Sequence, residues 1–299
     1  TCSHFSRAHQ LLAYSVISLS VIFLIYASLT GPTRARGSAE VTSSDPGARC
    51  PNSSYPWTRM RSRLGTKLRL AVIADLDTDS RLKEGVDKWT SFLKTGSLEL
   101  GRDTKKVTVT WDEEEVKLDS NLAAGGRGME LSELSVFNGR LLSLDDRTGV
   151  VYSVTGDKVV PWVILADGAG TSSKGFKGEW STVKGDKLIV GGLGKEWTTQ
   201  TGEIVNHDPM WVKEVSCDGG VRHLDWRGHY EAVRASVGIS WPGYMIHEAV
   251  CWSQVRREWV FLPRRMSSER YNDVTEERMG TNTMIIASED FSRIRHLTV

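Results

Sequence analysis

Cysteine is scarce in this sequence, and the scarcity narrows the field. Among 299 residues there are four, Cys2, Cys50, Cys217 and Cys251. None forms a CxxC pair, which leaves no zinc-ribbon or thioredoxin-type motif. Cys217 and Cys251 are a candidate disulfide in an oxidising compartment; two buried free thiols are the alternative. An excess of charge is missing as well. Lys and Arg number 38, Asp and Glu 37, for a net charge of +1. Bulk electrostatics therefore supply no attraction to nucleic acid or to an acidic partner, and no nucleic-acid partner is expected. Recurrent amphipathic helices of about 10–15 residues are absent after the N-terminus, which argues against a βαβ series.

Glycine and tryptophan, at 28 and 11 residues, are plentiful instead. Together they favour a turn-rich β protein with aromatic packing. The N-terminal part has another character. After a short tail (1–10), the segment LLAYSVISLSVIFLIYASL carries no charge and has about the length that spans a bilayer. It predicts a signal-anchor helix over 11–30, with later cleavage and secretion as a variant. Residues 31–66 are rich in Gly, Pro, Ser and Thr without apolar periodicity and read as a stem. Asn52-Ser53-Ser54 is a glycosylation sequon within it.

The globular part is expected over 67–299. LRLAVIADLD is an apolar β-branched run, and KVTVTWDEE alternates with period two as a half-buried strand does. Then comes GGRGMELSELSVFNGRLLSLDDRTGVVYSV (125–154), which reads as three short strands. Asn138-Gly139 makes the first turn, a strong hairpin signal, and Asp146-Arg147-Thr148-Gly149 the second. The carboxylates and arginines packed around these strands fit a metal and phosphate site; a well-solvated meander is the bland alternative.

Similar meanders follow at 178–205 and 247–265, and TNTMIIASEDFSRI begins another strand pair. Aligned by their turns, Ser132, Glu179 and Glu248 fall at one position in three successive units. Units of about 45–70 residues built from short strands suggest a β-propeller. Equivalent first-strand positions then ring the axis, and an oxygen-only ring suits a hard cation such as Ca²⁺.

IADLDTDSR, GRGMELSELSVFNGRLLSLDDRTGVVY, VPWVILADGAGT, KGFKGEW, VGGLGKEWTT, PGYMIHEAVCWS and FLPRRMSSERY closely resemble the calcium-activated nucleotidase (apyrase) family. The resemblance implies an all-β, five-bladed propeller with a central Ca²⁺ held by Ser132, Glu179 and Glu248. It also implies that the family continues past Val299, so that the last blade and two further ligands are incomplete in this chain. The implied activity is calcium-dependent hydrolysis of nucleoside di- and triphosphates (UDP, GDP, UTP). The implied setting is the lumen of the Golgi and endoplasmic reticulum, with a type II membrane anchor. There UDP removal supports glycosylation and proteoglycan synthesis.

Diphosphate hydrolysis needs charge neutralisation, a placed water and a proton acceptor. Asp75, Asp77, Glu130, Asp145 and Asp146 are the candidate catalytic carboxylates, because they cluster at strand ends or beside turns. Asp145-Asp146 also has the composition of a simple turn start. Arg127, Arg147 and Arg264 are candidate phosphate contacts. Trp180 and Trp197 are candidates to stack on a base, against the usual fate of propeller tryptophans as packing. Glu196 is a candidate contact to ribose or base. Two other functions compete. Asp75-Leu76-Asp77 mimics the DxD of a Golgi glycosyltransferase, and a non-catalytic lumenal calcium-binding propeller would share the fold. A homodimer is compatible with the sequence.

Overall fold

A computed structural model of the chain describes residues 59–61, 65–82, 87–101 and 106–299. The expected anchor at 11–30, most of the stem and Asn52 lie outside them. No helix among the described residues is long and apolar enough to cross a membrane.

The described residues are mostly strands, in a propeller-like arrangement of four four-stranded antiparallel sheets. The first sheet contains β1 (Arg59–Arg61), β2 (Gly65–Ile73), β3 (Trp89–Gly101) and β4 (Val107–Ser120). Its first strand lies in the stretch read as stem and pairs with β2, Arg59 opposite Leu68. The alternation in β4 does not mean half-burial, since its residues 107–111 are exposed on both faces.

The second sheet shows how local sequence sets register. It runs β5 (Leu131–Phe137), β6 (Arg140–Asp145), β7 (Val150–Thr155) and β8 (Lys158–Ile164). Asn138 and Gly139 both have positive φ, 47° and 73°, as a two-residue type I′ turn requires. Phe137 thereby faces Arg140. At the next turn Gly149 has φ 72°, and a Cβ there would sit 2.3 Å from the Leu165 carbonyl oxygen. Only glycine fits that turn.

The third sheet is β9 (Trp180–Lys184), β10 (Lys187–Gly191), β13 (Trp211–Val215) and β14 (Val221–Asp225). Between β10 and β13 the chain makes a separate two-stranded ribbon, β11 (Trp197–Thr198) and β12 (Ile204–Asn206). A helix, α1 (Arg227–Ala235), leads to the fourth sheet. That sheet is β15 (Tyr244–Ser253), β16 (Glu258–Ser267), β17 (Thr283–Ser288) and β18 (Ile294–Thr298).

The blade count differs from five. TNTMIIASEDFSRI does begin the expected strand pair, β17 with β18, and because β17 also pairs with β16 the pair completes the fourth sheet. Ile285 and Ala287 on β17 are fully buried and join the same apolar cluster as Trp259 and Phe261. That burial ties the strand to its hairpin neighbour. The alternation of strands and helices expected of a DxD glycosyltransferase is absent among the described residues.

Successive sheets meet through β2, β5, β9 and β15, each of which touches the next. Apolar side chains fill the space between sheets. Trp89, Leu118, Leu131 and Tyr152 lie between the first and second, Phe137, Leu144, Phe176 and Val190 between the second and third. Trp180, Trp226, Trp252 and Trp259 dominate the cluster between the third and fourth. Five of the eleven tryptophans, Trp89, Trp180, Trp226, Trp252 and Trp259, are thus core residues, whereas Trp111, Trp197 and Trp241 are exposed. The proposed Cys217–Cys251 pairing does not form. Cys217 is disulfide-bonded, but Cys251 is a free, half-buried thiol. Cys251 sits on β15 opposite Val260, whereas Cys217 lies in the β13–β14 turn of another sheet.

Candidate functional site

The touching strands β2, β5, β9 and β15 bring the charged residues together. Asp75 follows β2, Ser132 lies on β5, Glu179 directly precedes β9 and Glu248 lies on β15. Two of these positions are β-bulges. Pairing skips Ser132 between Leu131 and Glu133, and skips Glu248 between His247 and Val250. A bulge re-aims a side chain that regular pleating would turn elsewhere.

All of these groups but Glu248 form one connected network. Ser132 Oγ donates to Asp75 Oδ2 at 3.5 Å, and the Asp77 backbone N–H donates to Asp75 Oδ1 at 2.9 Å. One carboxylate oxygen from each of Asp75, Glu130 and Asp146 lies within 4.8 Å of the other two. Arg127 forks onto Glu130, from Nε at 2.6 Å and Nη2 at 2.5 Å, and its Nη2 also reaches Asp77 at 3.2 Å. Arg147 Nε stands 4.0 Å from Glu130. The Lys177 ammonium bridges Asp146 and Glu179 Oε1, the latter at 2.8 Å. Glu248 is paired with Arg264.

Crowding of carboxylates dominates the electrostatics. Asp75 is pushed up to about 7 by desolvation and then by Asp146. Water reaches its side chain, but protein crowds it on most sides. Desolvation raises Glu130 too, against the pull of Arg127. Burial raises Glu179, with Asp146 and Glu248 adding to the effect against Lys177. Burial alone would lower Lys177, but Glu179 and Asp146 hold its ammonium well above the usual lysine range. Ser132, Glu179 and Glu248 offer only oxygen donors. That chemistry fits a hard divalent cation such as Ca²⁺.

Two non-glycine residues with left-handed backbone flank the network, Asp77 at φ 47° and Met129 at φ 56°. Such conformations persist where surrounding contacts hold them. Asp145 supplies part of the hold. Its Oδ2 accepts the Met129 N–H at 2.9 Å and its Oδ1 the Arg147 N–H at 3.0 Å. Asp145 is therefore committed to the backbone and holds the segments that carry Glu130 and Arg147.

The other sequence candidates lie elsewhere or do other work. Trp180 is fully buried against Trp226, with its Nε1–H on the Gly192 carbonyl. Glu196 is buried and takes both Nη groups of Arg234 at 2.8 Å. Burial works against its charged form, but the Arg234 fork outweighs it and holds the carboxyl low. Trp197 is partly exposed on the ribbon with the Lys174 ammonium 4.7 Å from its ring centroid. Sequence reasoning missed Lys177. The signal was available in KGFKGEW, where this lysine stands two residues ahead of Glu179.

What fold and site define is a propeller-like β protein whose sheet ends gather carboxylates, guanidinium groups and an oxygen-only ligand set. The sequence model of the apyrase family matches residues 76–299. The chain is 53% identical to soluble calcium-activated nucleotidase 1 of Mus musculus, covering 81% of this chain and 60% of that protein. It is 53% identical to Apyrase apy-1 of Caenorhabditis elegans, over 75% of this chain and 62% of that protein. It is 48% identical to an apyrase of Cimex lectularius, over 81% of this chain and 67% of that protein. The chain belongs to the apyrase family, and it spans about 60% of the length of the mouse relative.

Proposed function

We propose that this protein hydrolyses nucleoside di- and triphosphates, UDP and GDP among them, to the monophosphate and phosphate in a calcium-dependent reaction. The observation that carries this reading is the joining of Asp75, Glu130 and Asp146 to Arg127, Arg147 and Lys177 in one network of contacts. The guanidinium groups match phosphate oxygens. One of the clustered carboxylates would accept the proton of the attacking water. Ser132, Glu179 and Glu248 would hold Ca²⁺, which supplies Lewis-acid neutralisation of phosphate charge when bound. Trp197, the exposed tryptophan of the two candidates, is the better platform for a base.

The reading extends to settings drawn from the sequence. Residues 11–30 anchor the chain in the membranes of the endoplasmic reticulum and Golgi with the propeller lumenal, or release it after cleavage. Asn52 carries a glycan. UDP removal there would support glycosylation and proteoglycan synthesis. A homodimer is a further state to examine.

The test is phosphate release from UDP alone, in Ca²⁺ and in chelator. Release that needs Ca²⁺ and no sugar acceptor is the expected result; none in either condition would overturn the proposal. Glu179→Gln should lower both hydrolysis and the thermal stabilisation by Ca²⁺.

A further inference from the structure

We infer that Asp75, Glu130 and Asp146 form a second divalent-cation site, separate from the Ser132, Glu179 and Glu248 set. It deepens the proposed function, and its role there rests on that reading, though the binding of an ion does not.

Two independent observations carry the inference. The first is geometric. One oxygen from each of the three carboxylates lies within 4.8 Å of the other two. Ca²⁺ takes oxygen ligands at about 2.3–2.6 Å. Two ligands on opposite sides of one ion are then about 4.6–5.2 Å apart, and closer pairs span less. The three oxygens are thus near enough to share one ion without rearrangement of the strands.

The second is an unanswered acceptor. Asp146 is 5% exposed. Its Oδ2 receives the Lys177 ammonium, while Oδ1 is buried with no hydrogen-bond partner. A buried carboxylate oxygen normally has a partner, because leaving it bare forfeits its hydration. Lys177 is already committed to Oδ2 and to Glu179. Arg127 is committed to Glu130 and Asp77. No basic side chain of the network answers Oδ1.

The remaining lone pairs allow coordination. Each carboxylate oxygen accepts more than one interaction, so Glu130 can keep the Arg127 fork and still bind an ion. Asp75 holds only the Asp77 N–H and a long Ser132 contact. An all-oxygen set of this kind selects hard cations, Ca²⁺ or Mg²⁺, over thiophilic metals. Asp146 sits between the two sets, joined to Glu179 through Lys177. The site would then hold one cation at the strand ends and another beside Arg127.

Equilibrium dialysis of the full chain with radioactive Ca²⁺ tests this. The wild type should bind two ions. Asp146→Asn and Asp75→Asn should each lose one, or weaken it at least tenfold, while Glu179→Gln keeps the ion that those variants lose. Asp75 is exposed, so Asp75→Asn should fold even if Asp146→Asn does not; circular dichroism checks both. Unchanged ion count and affinity in Asp75→Asn and in folded Asp146→Asn would overturn the inference. A parallel UDP assay on the wild type separates the two ideas. Calcium-dependent release with carboxylate-independent binding sinks the second site alone. An Asp75-dependent ion without any UDP hydrolysis sinks the proposed activity and supports the site.

Discussion

Glu130 and Glu196 are both buried, and each accepts two donors from an arginine. Their carboxyl pKa values nevertheless move in opposite directions, up at Glu130 and down at Glu196. The partners differ. Arg234 is itself buried and serves Glu196. Arg127 is partly open to solvent and is shared with Asp77, and Asp146 crowds Glu130 from another side. An ion pair that is closed and balanced secures the ribbon and helix. One that is open and over-supplied with carboxylate has capacity left for a ligand. The same two residue types thus build a brace in one place and a candidate binding site in another.

Breaking the closed pair should have the largest effect. Arg234→Ala leaves Glu196 buried without its cation and should cost about 3–5 kcal/mol, read by urea unfolding. A loss below about 1 kcal/mol would remove the contrast. Arg127→Ala should cost less stability, because Arg127 is partly open to solvent and shared between Glu130 and Asp77. Its larger effect should fall on UDP hydrolysis. A fall of about 100-fold, or roughly 2.7 kcal/mol of transition-state stabilisation, is expected in steady-state kinetics. Full activity would show that the open arginine meets no phosphate.

Lys213 sharpens the comparison from the closed side. It is fully buried, donating to the Gly168 carbonyl and lying 3.1 Å from His223 Nδ1. Burial lowers its pKa from 10.5 to about 8. Between those values the unfolded chain binds more protons than the folded one, so stability should rise as pH rises from about 8 to 10.5. Lys213→Met should flatten that rise in urea midpoints; an undiminished slope would assign it to other groups. The smallest effect is expected at Trp197. Trp197→Ala should shift stability by about 0.5 kcal/mol or less while raising KM for UDP about 2–10-fold. An unchanged KM would exclude base stacking there.

The turns and spacing around the candidate site were legible because short-range rules wrote them. The Asn138-Gly139 turn, the Asp146–Gly149 turn and the recurring spacing of Ser132, Glu179 and Glu248 all follow from local backbone preference. The structure sets all three ring candidates on or beside strands that touch. Residues whose roles depend on distant partners were not legible. Glu196 beside Trp197 looks like a ligand contact until Arg234, on α1, is seen to take it. Trp180 looks available until Gly191 and Trp226 enclose it. Asp145 and Asp146 are neighbours with identical side chains, yet one caps its own turn and the other faces Lys177.

Strand class, turn positions and the chemistry of the carboxylate- and arginine-rich segment were determined by the sequence alone. Each depends on backbone dihedrals and side-chain type within a few residues. Blade membership, the bulges that re-aim Ser132 and Glu248, and the state of each charged group were decided only by tertiary structure. Burial and the approach of groups from other sheets set those, and a one-dimensional pattern contains neither. TNTMIIASEDFSRI shows the division: its strand character is local, but its place in the fourth sheet follows from the core that Ile285 and Ala287 join.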